Sequence, residues 1–226
     1  ASVSGSEVLN MFATATAWLE RHVASLNAIN VFPVPDGDTG TNMYLTMRST
    51  LEEARRNASH RAGAILKSMA RGALMGARGN SGVILSQIIR GWARAVEGLE
   101  RLDGRALARA LMEGAATAYK GVSQPVEGTI LTVVREAAEA AKRRAARQGQ
   151  SFLAVLRSAA EAAKAAVAKT PSLLPVLAEA GVVDAGGQGL YIVLEGAMRY
   201  LQGATEMGPP PAEVEQRWLA ATEAMH

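Results

Sequence analysis

The chain of 226 residues is 49% hydrophobic and 20% charged, with a formal net charge of +3 at pH 7. This composition supports one principal domain with a buried core, and the even spread of basic residues along the chain disfavours nucleic-acid binding. The absence of cysteine excludes disulfides, thiolate metal sites and a cysteine nucleophile.

No segment of the sequence approaches the roughly 20 consecutive apolar residues of a membrane-spanning helix. The N-terminus also lacks the basic and then apolar pattern of a signal peptide. We therefore expect a soluble, cytoplasmic protein. Residues 1–205 are predicted to form the domain. Residues 206–226, which include the run Pro209 to Pro211, are predicted to form a stiff linker and one short helix that lead into further domains.

Apolar residues recur at helical spacing along most of the chain, which predicts an all-α fold of about eight helices. The first helix is an apolar stripe from Val8 to Leu26 behind a Ser6 cap. Later helices are predicted, several with Ser81, Asp103 or Ser151 as N-caps, at 41–56, 61–76, 81–97, 104–120, 129–147, 151–169 and 187–202. No run of alternating β-branched residues predicts a strand, which disfavours a Rossmann or P-loop sheet.

Glycines are concentrated in segments between the predicted helices, and these segments are the candidate site: 30–42, 76–82, 121–128 and 181–189. In the first, Asp36 and Asp38 precede a helix predicted at about Thr41. Two carboxylates on an irregular backbone can converge on a hard cation such as Mg²⁺. A capping aspartate or an ordinary Asp-Gly turn would explain the same residues. The EF-hand pattern does not fit, because Gly40 occupies a ligand position and Met47 replaces the closing glutamate.

The second segment, 76–82, is a glycine-rich entry into an apolar helix. Such an entry leaves backbone N–H groups unpaired at the positive end of the helix dipole, which favours phosphate binding. Ser81 as a plain N-cap is the alternative. The Lys-Ser/Thr ending of a P-loop is missing, so phosphate would be held by a different architecture.

The third and fourth segments each precede a helix, and by their local pattern Thr129 and Asp184 are helix caps. The glycines from Gly186 to Gly189 do not form a dinucleotide fingerprint, because the preceding strand and the required spacing are missing. None of the three histidines lies in any of the glycine-rich segments, which disfavours a histidine-based acid, base or metal centre.

Taken together, the glycine-rich segments resemble the N-terminal domain of the catalytic subunit of bacterial fatty acid kinase. That domain belongs to the nucleotide-binding branch of the dihydroxyacetone kinase superfamily. The resemblance covers about residues 5 to 205, and the matching motifs are, in chain order, 27–43, 76–87, 127–131 and 183–190.

The resemblance implies an eight-helix barrel that holds ATP and two Mg²⁺ ions in the loops at one end. A trio of aspartates binds the metals in that family. The second and third match Asp36 and Asp38, which are also the predicted catalytic residues, and the first falls at Asn30. Dihydroxyacetone kinases tend to have a histidine where Thr39 stands here. Both departures favour the fatty acid kinase branch.

The same matching predicts the nucleotide-binding residues. The segment 79–82 resembles the phosphate cradle, 129–130 the nucleoside pocket, and 184–187 a closing wall of that pocket. The predicted contacts are Thr39, Gly40, Thr41, Asn42, Gly79, Asn80, Ser81, Gly82, Gly128, Thr129, Ile130, Asp184, Gly186 and Gly187.

The implied reaction is the Mg-ATP-dependent phosphorylation of a fatty acid carboxylate, which gives an acyl phosphate and ADP. A separate fatty-acid-binding protein presents the acyl chain and docks on domains beyond this chain, so the isolated domain can be inactive alone. A dihydroxyacetone-type kinase subunit, an ATP-binding regulatory module without turnover and a ligand-free helical bundle are the alternatives. The sequence does not predict the acyl-chain preference or the oligomeric state. A homodimer is one candidate for the oligomeric state.

Overall fold

The computed structural model describes residues 1–203, which form helices and no strand. The helices are α1 (Gly5–Arg21), α2 (Val23–Ala28), α3 (Thr39–Arg56), α4 (Ala62–Gly76), α5 (Gly79–Ala95), α6 (Gly104–Lys120), α7 (Ile130–Ala145), α8 (Phe152–Leu173), α9 (Pro175–Ala180) and α10 (Ala185–Leu201). The prediction of an all-α fold is confirmed. The predicted linker and short helix at 206–226 lie outside the described residues.

The long helices pack side by side in a closed ring, in the order α1, α3, α4, α5, α6, α7, α8 and α10, with α10 returning to α1. Neighbouring helices run antiparallel, because short connections join successive helices of the ring. The first turns of α3, α5, α7 and α10, or the residues just before them, therefore meet at one end of the barrel, where they line a common cavity. We call this the site end. The predicted eight-helix barrel is confirmed, with α2 and α9 as additional short helices.

The inside of the ring is a continuous apolar core. Fully buried side chains come from helices all around the ring and include Leu19, Met43, Ile65, Leu85 and Leu190. Burial of one such side chain contributes about 1.5–3 kcal/mol to stability. This continuous core holds the helices whose ends carry the loops of the site end.

The first predicted helix is interrupted, because α1 ends at Arg21 and a new helix begins at Val23. The Nδ1 atom of His22 hydrogen-bonds to the Trp18 carbonyl oxygen at 2.8 Å. In a continuous helix the His22 N–H would donate to that oxygen, and here it donates to the Leu19 carbonyl instead. The His22 side chain thus replaces a backbone hydrogen bond of the helix. The spacing of the apolar residues does not indicate this interruption.

Two predicted N-caps are wrong. Ser4, not Ser6, caps α1, and its hydroxyl forms a capping box with Glu7. Helix α5 begins at Gly79, which places Ser81 inside the first turn, and Arg78 occupies the N-cap position without a side-chain cap. The caps predicted at 103 and 151 are correct.

The C-terminal part of α8 extends beyond the predicted end at 169, through Pro171 to Leu173. Proline has no N–H to donate to the Val167 carbonyl, and the Thr170 hydroxyl donates to this oxygen at 2.7 Å. The short helix α9 that follows was not predicted. It ends at Gly181, whose φ of 70° is the left-handed conformation typical of a helix C-terminus.

Candidate functional site

A cavity of about 270 Å³ lies at the site end and is lined by residues from all the glycine-rich segments. The structure thus brings together side chains that are separated by more than a hundred residues in sequence. The predicted site residues that line the cavity are Asn30, Asp36, Asp38, Thr39, Asn42, Gly79, Asn80, Ser81, Thr129, Ile130, Asp184 and Gly186.

The other predicted contacts do not line the cavity but are buried beneath it: Gly40, Thr41, Gly82, Gly128 and Gly187. Two of these glycines show why no side chain fits. A Cβ on Gly40 would lie 2.6 Å from the Val23 carbonyl oxygen, and one on Gly187 would lie 2.8 Å from a Val133 methyl carbon. These positions support close packing of the helices that carry the site.

The sequence interpretation missed the apolar part of the cavity wall. It is formed by residues in or beside the recognised motifs, namely Phe32, Pro33, Val34, Ile84, Val122, Val126 and Leu131, and the polar Gln124 also lines the cavity. The prolines and glycines around the first and third segments were the available signal. Apolar residues in a loop are otherwise indistinguishable, in sequence, from residues that face the core.

The loop that carries the two carboxylates is held by Asn30, which is 5% exposed. Its amide oxygen accepts hydrogen bonds from the N–H groups of Asp38 at 3.0 Å and Thr39 at 3.1 Å. Its amide nitrogen donates to the Val34 carbonyl at 3.2 Å. An amide oxygen has two lone pairs, and both are engaged here, so Asn30 positions the loop, while its role as a metal ligand stays a prediction.

Asp36 and Asp38 stand side by side on this loop. Burial and the neighbouring Asp38 carboxylate raise the pKa of Asp36. Among residues 1–203 no group of three or more His, Cys, Asp or Glu side chains is arranged to hold a metal ion. The pair fits Mg²⁺ in the way that Mg²⁺ is usually bound beside phosphates, by one or two carboxylates with the remaining positions left to water and phosphate oxygens.

The N-terminus of α5 has no side-chain cap. The N–H groups of its first turn, at Gly79, Asn80 and Ser81, point out of the helix at the cavity. Gly79 has a φ of 65°, and a Cβ there would lie 2.3 Å from the Asn42 side-chain nitrogen. The positive φ therefore favours glycine, and a larger residue would also have to displace the Asn42 side chain. The exposed N–H groups and the helix dipole can bind an anion.

The N-termini of α7 and α10, in contrast, are capped by their own side chains. The Thr129 hydroxyl accepts from the Leu131 N–H at 3.3 Å and donates to the Val126 carbonyl at 2.7 Å. Asp184 accepts from the Gly187 N–H at 2.8 Å, and a second bond comes from the Ile130 N–H. Asp184 thereby joins the first turns of both helices. Burial raises its pKa to about 6, although the two N–H donors act in the opposite direction.

Residues 33–199 match the DAK2 domain family. The chain belongs to this family. It is 43% identical over 209 residues to an uncharacterized protein of Staphylococcus saprophyticus, with 92% of this chain and 38% of that protein covered. It is also 43% identical over 201 residues to uncharacterized proteins of Staphylococcus aureus, and here 89% of this chain and 36% of the relative are covered. The chain thus spans little more than a third of the length of these relatives.

The fold is shared with crystal structures of dihydroxyacetone kinase from C. freundii. The structure of that enzyme in complex with AMP-PNP and Mg²⁺ has a TM-score of 0.63 and 20% sequence identity, and covers 85% of this chain and 33% of the kinase. The native form of the kinase gives a TM-score of 0.61 at 21% identity.

None of the helices within residues 1–203 combines the length and the apolar character needed to cross a membrane.

Proposed function

We propose that this chain is the ATP-binding phosphotransfer domain of a fatty acid kinase, which phosphorylates a fatty acid carboxylate presented by a separate fatty-acid-binding protein. The observation that carries the proposal is the cavity itself. It has two adjacent carboxylates and an uncapped helix N-terminus beside an apolar wall. This combination suits a metal-bound triphosphate joined to a nucleoside.

The two halves of the cavity suit the two halves of ATP. The first turn of α5 offers backbone N–H groups to phosphate oxygens. The apolar side chains of Ile84, Val122 and Val126 form a surface on which an adenine ring can pack. Membership of the DAK2 family, and the AMP-PNP and Mg²⁺ bound by the dihydroxyacetone kinase of the same fold, support this assignment.

Asp36 and Asp38 are the residues that would hold Mg²⁺, one ion or two. Bound Mg²⁺ neutralises the charge that the triphosphate carries into phosphoryl transfer. The role of the chain is to position: Asn30 fixes the carboxylate loop, and the first turn of α5 fixes the phosphates. Phosphoryl transfer depends mostly on such positioning and charge neutralisation.

In the proposed reaction a carboxylate oxygen of the fatty acid attacks the γ-phosphorus of ATP. A new P–O bond forms, the bond to the bridging oxygen breaks, and ADP leaves with that oxygen and its electron pair. A carboxylic acid is already ionised at pH 7, so no base is needed to remove a proton. The absence of histidine from the described cavity lining agrees with an acceptor of this kind.

The surface around the cavity supports an acceptor brought by another protein. All the strongly exposed large apolar side chains of residues 1–203 lie in segments at the site end, in the loops or in the helix turns next to them: Val34, Leu74, Met75, Val83, Val126 and Leu173. Leu74 and Met75 are the most exposed, at 71% and 64%. Clustered exposed apolar residues commonly mark protein interfaces. We assign the part of this rim outside the cavity wall, at Leu74, Met75, Val83 and Leu173, to the acyl-carrying partner. A cytoplasmic location belongs to the same proposal.

The experiment has two stages. A thermal-shift titration with ATP, with and without Mg²⁺, should show a Mg²⁺-dependent rise in melting temperature, because a ligand that binds only the folded state stabilises it. No rise would contradict the nucleotide site. Transfer of the γ-phosphate is then measured in the full-length protein with a fatty-acid-loaded binding protein. Binding without transfer to the fatty acid would favour a regulatory module.

A dihydroxyacetone-type kinase subunit is the second candidate, and the shared fold with the C. freundii enzyme favours it. Thr39 and Asn30 weigh against it, since dihydroxyacetone kinases tend to have His at the first of these positions and Asp at the second. Phosphate transfer to dihydroxyacetone held by a sugar-binding partner, with none to a fatty acid, would establish this alternative.

A further inference from the structure

We infer that Glu127, which does not line the cavity, is a positioning residue that holds the α6–α7 loop as the wall of the nucleoside pocket. The inference rests on the proposed nucleotide-binding function. Residues 121–129 connect α6 to α7, and Val122, Gln124 and Val126 of this loop face the cavity.

The middle of the loop has few contacts of its own. Residues 123–127 are exposed, and none of their N–H groups donates a hydrogen bond to the backbone of another described residue. The Val126 carbonyl accepts from the Thr129 hydroxyl, which anchors only the end next to α7. The position of the wall must therefore be set by a side chain that reaches beyond the loop.

The Glu127 carboxylate makes these longer connections. Its two oxygens accept from the Tyr119 hydroxyl at 3.2 and 3.3 Å, which ties the loop back to the last turns of α6. Arg135 of α7 donates to the same carboxylate at 3.4 Å. The Thr132 hydroxyl also donates to it, while the Thr132 oxygen accepts from the Gly128 N–H at 2.8 Å. One carboxylate thus joins both helices that the loop connects.

This arrangement is expected to affect ligand binding more than global stability. The Glu127 side chain is 50% exposed, and exposed ion pairs add little to the folding free energy. A wall that is ordered before binding, however, spares the ligand the cost of ordering it. The effect should be confined to ligands that contain a nucleoside, because the proposed phosphate and metal sites lie at the first turn of α5 and at the carboxylate loop, away from this wall.

The test compares Glu127→Ala with Glu127→Gln and with Glu139→Ala. Glu139 pairs with the same Arg135 at 3.5 Å but lies on α7 and not on the loop, so it is a matched control. Glu127→Ala should weaken Mg-ATP binding about tenfold, or about 1.4 kcal/mol. It should leave the binding of Mg-tripolyphosphate, which lacks a nucleoside, unchanged. Glu127→Gln keeps an oxygen acceptor and should restore most of the ATP affinity, and Glu139→Ala should bind both ligands as the wild type does.

Hydrogen exchange without nucleotide gives an independent measurement. The Gly128 amide, which donates to the Thr132 hydroxyl that Glu127 holds, should exchange roughly fivefold faster in Glu127→Ala than in the wild type or in Glu139→Ala. Equal losses of ATP and tripolyphosphate affinity, or unchanged ATP affinity with unchanged loop exchange, would overturn the inference. If the wild-type chain itself does not bind Mg-ATP, the proposed function fails, and faster loop exchange alone would then support only the structural part of the assignment.

Discussion

The N-terminus of α5 and those of α7 and α10 meet in one cavity, yet they are completed in different ways. Helices α7 and α10 are capped by Thr129 and Asp184, so their first N–H groups are already used within the protein. Helix α5 has no side-chain cap, and its first-turn N–H groups remain available at the cavity. Equivalent helix ends can thus serve either stability or ligand binding, depending on whether a side chain caps them.

This comparison leads to different expectations for the two regions. Changes at α3 and α5 should alter ligand affinity with little change in the stability of the free protein. Changes at the caps of α7 and α10 should alter stability first. A mutation that does the opposite would show that the division is wrong.

The largest effect is expected at Asp38. Asp38→Ala removes one of two adjacent carboxylates, and Mg-ATP affinity should fall at least about 100-fold, or about 3 kcal/mol. The melting temperature without ligand should change little, since Asp38 makes no side-chain cap to α3. Isothermal titration calorimetry with Mg-ATP measures the loss. Glu161→Ala, which removes an exposed carboxylate from α8, is the control, and retained affinity in Asp38→Ala would remove the metal assignment.

Asp184→Asn tests the capped region. Asparagine replaces one carboxylate oxygen with an NH2 group, which cannot accept, and its neutral amide is a weaker acceptor than the carboxylate for the N–H groups of Gly187 and Ile130. The weaker bonds to these buried N–H groups should lower the unfolding free energy by about 2 kcal/mol at pH 7. The melting temperature should then fall by roughly 4–8 °C. Asp103→Asn is the control, because Asp103 is exposed, caps with one bond, and asparagine is an equally good cap.

The raised pKa of Asp184 predicts that the stability of the protein depends on pH. Burial raises the pKa of Asp184 to about 6 from its ordinary value of 3.8. Between these values the folded state holds a proton that the unfolded state has released, so this group's contribution to stability falls as the pH rises from 4 to 6. The span of this change is about 3 kcal/mol. In urea unfolding, the unfolding free energy of the wild type minus that of Asp184→Asn should therefore be larger at pH 4 than at pH 7. A difference that does not change with pH would contradict the raised pKa.

A smaller change in affinity is expected for Gly79→Ala. The residue has a φ of 65°, and the new methyl group would displace the Asn42 side chain from the cavity wall. Mg-ATP affinity should fall about tenfold, or about 1.4 kcal/mol. Gly98→Ala is a matched control, because Gly98 also has a positive φ but has no neighbour within 4 Å of the added Cβ. Equal affinity in the two variants would mean that the α5 entry is only a structural turn.

The smallest effect is expected for Ser81→Ala. The hydroxyl lines the cavity but does not cap α5, and the backbone N–H of the residue remains in place. The Kd for Mg-ATP should rise about threefold, or about 0.7 kcal/mol, with no change in melting temperature. A marked drop in melting temperature would show that Ser81 has a stabilising role that the structure does not explain.

Parts of this division could be read from the sequence. Thr129 and Asp184 were recognisable as caps because each is a short polar residue immediately before a helical pattern. Ser81 fits the same pattern but was wrongly interpreted as an N-cap, because the three glycines around it leave the first residue of the helix undefined in the sequence. Asn30 could be recognised only as a departure from an aspartate trio, since the N–H groups it accepts from become neighbours only after the loop folds back.

The sequence by itself determined the all-α class, most helix bounds, and the identity of the glycine-rich segments, because helical periodicity and capping act over a few residues. The tertiary structure alone decided which of those residues reach the cavity and which pack beneath it. It also decided that Val122 and Val126 join Ile84 in one wall, and that Glu127 holds that wall. These relations depend on how the helices close into a ring, and distances between helix ends are set by packing across the barrel rather than by neighbouring residues.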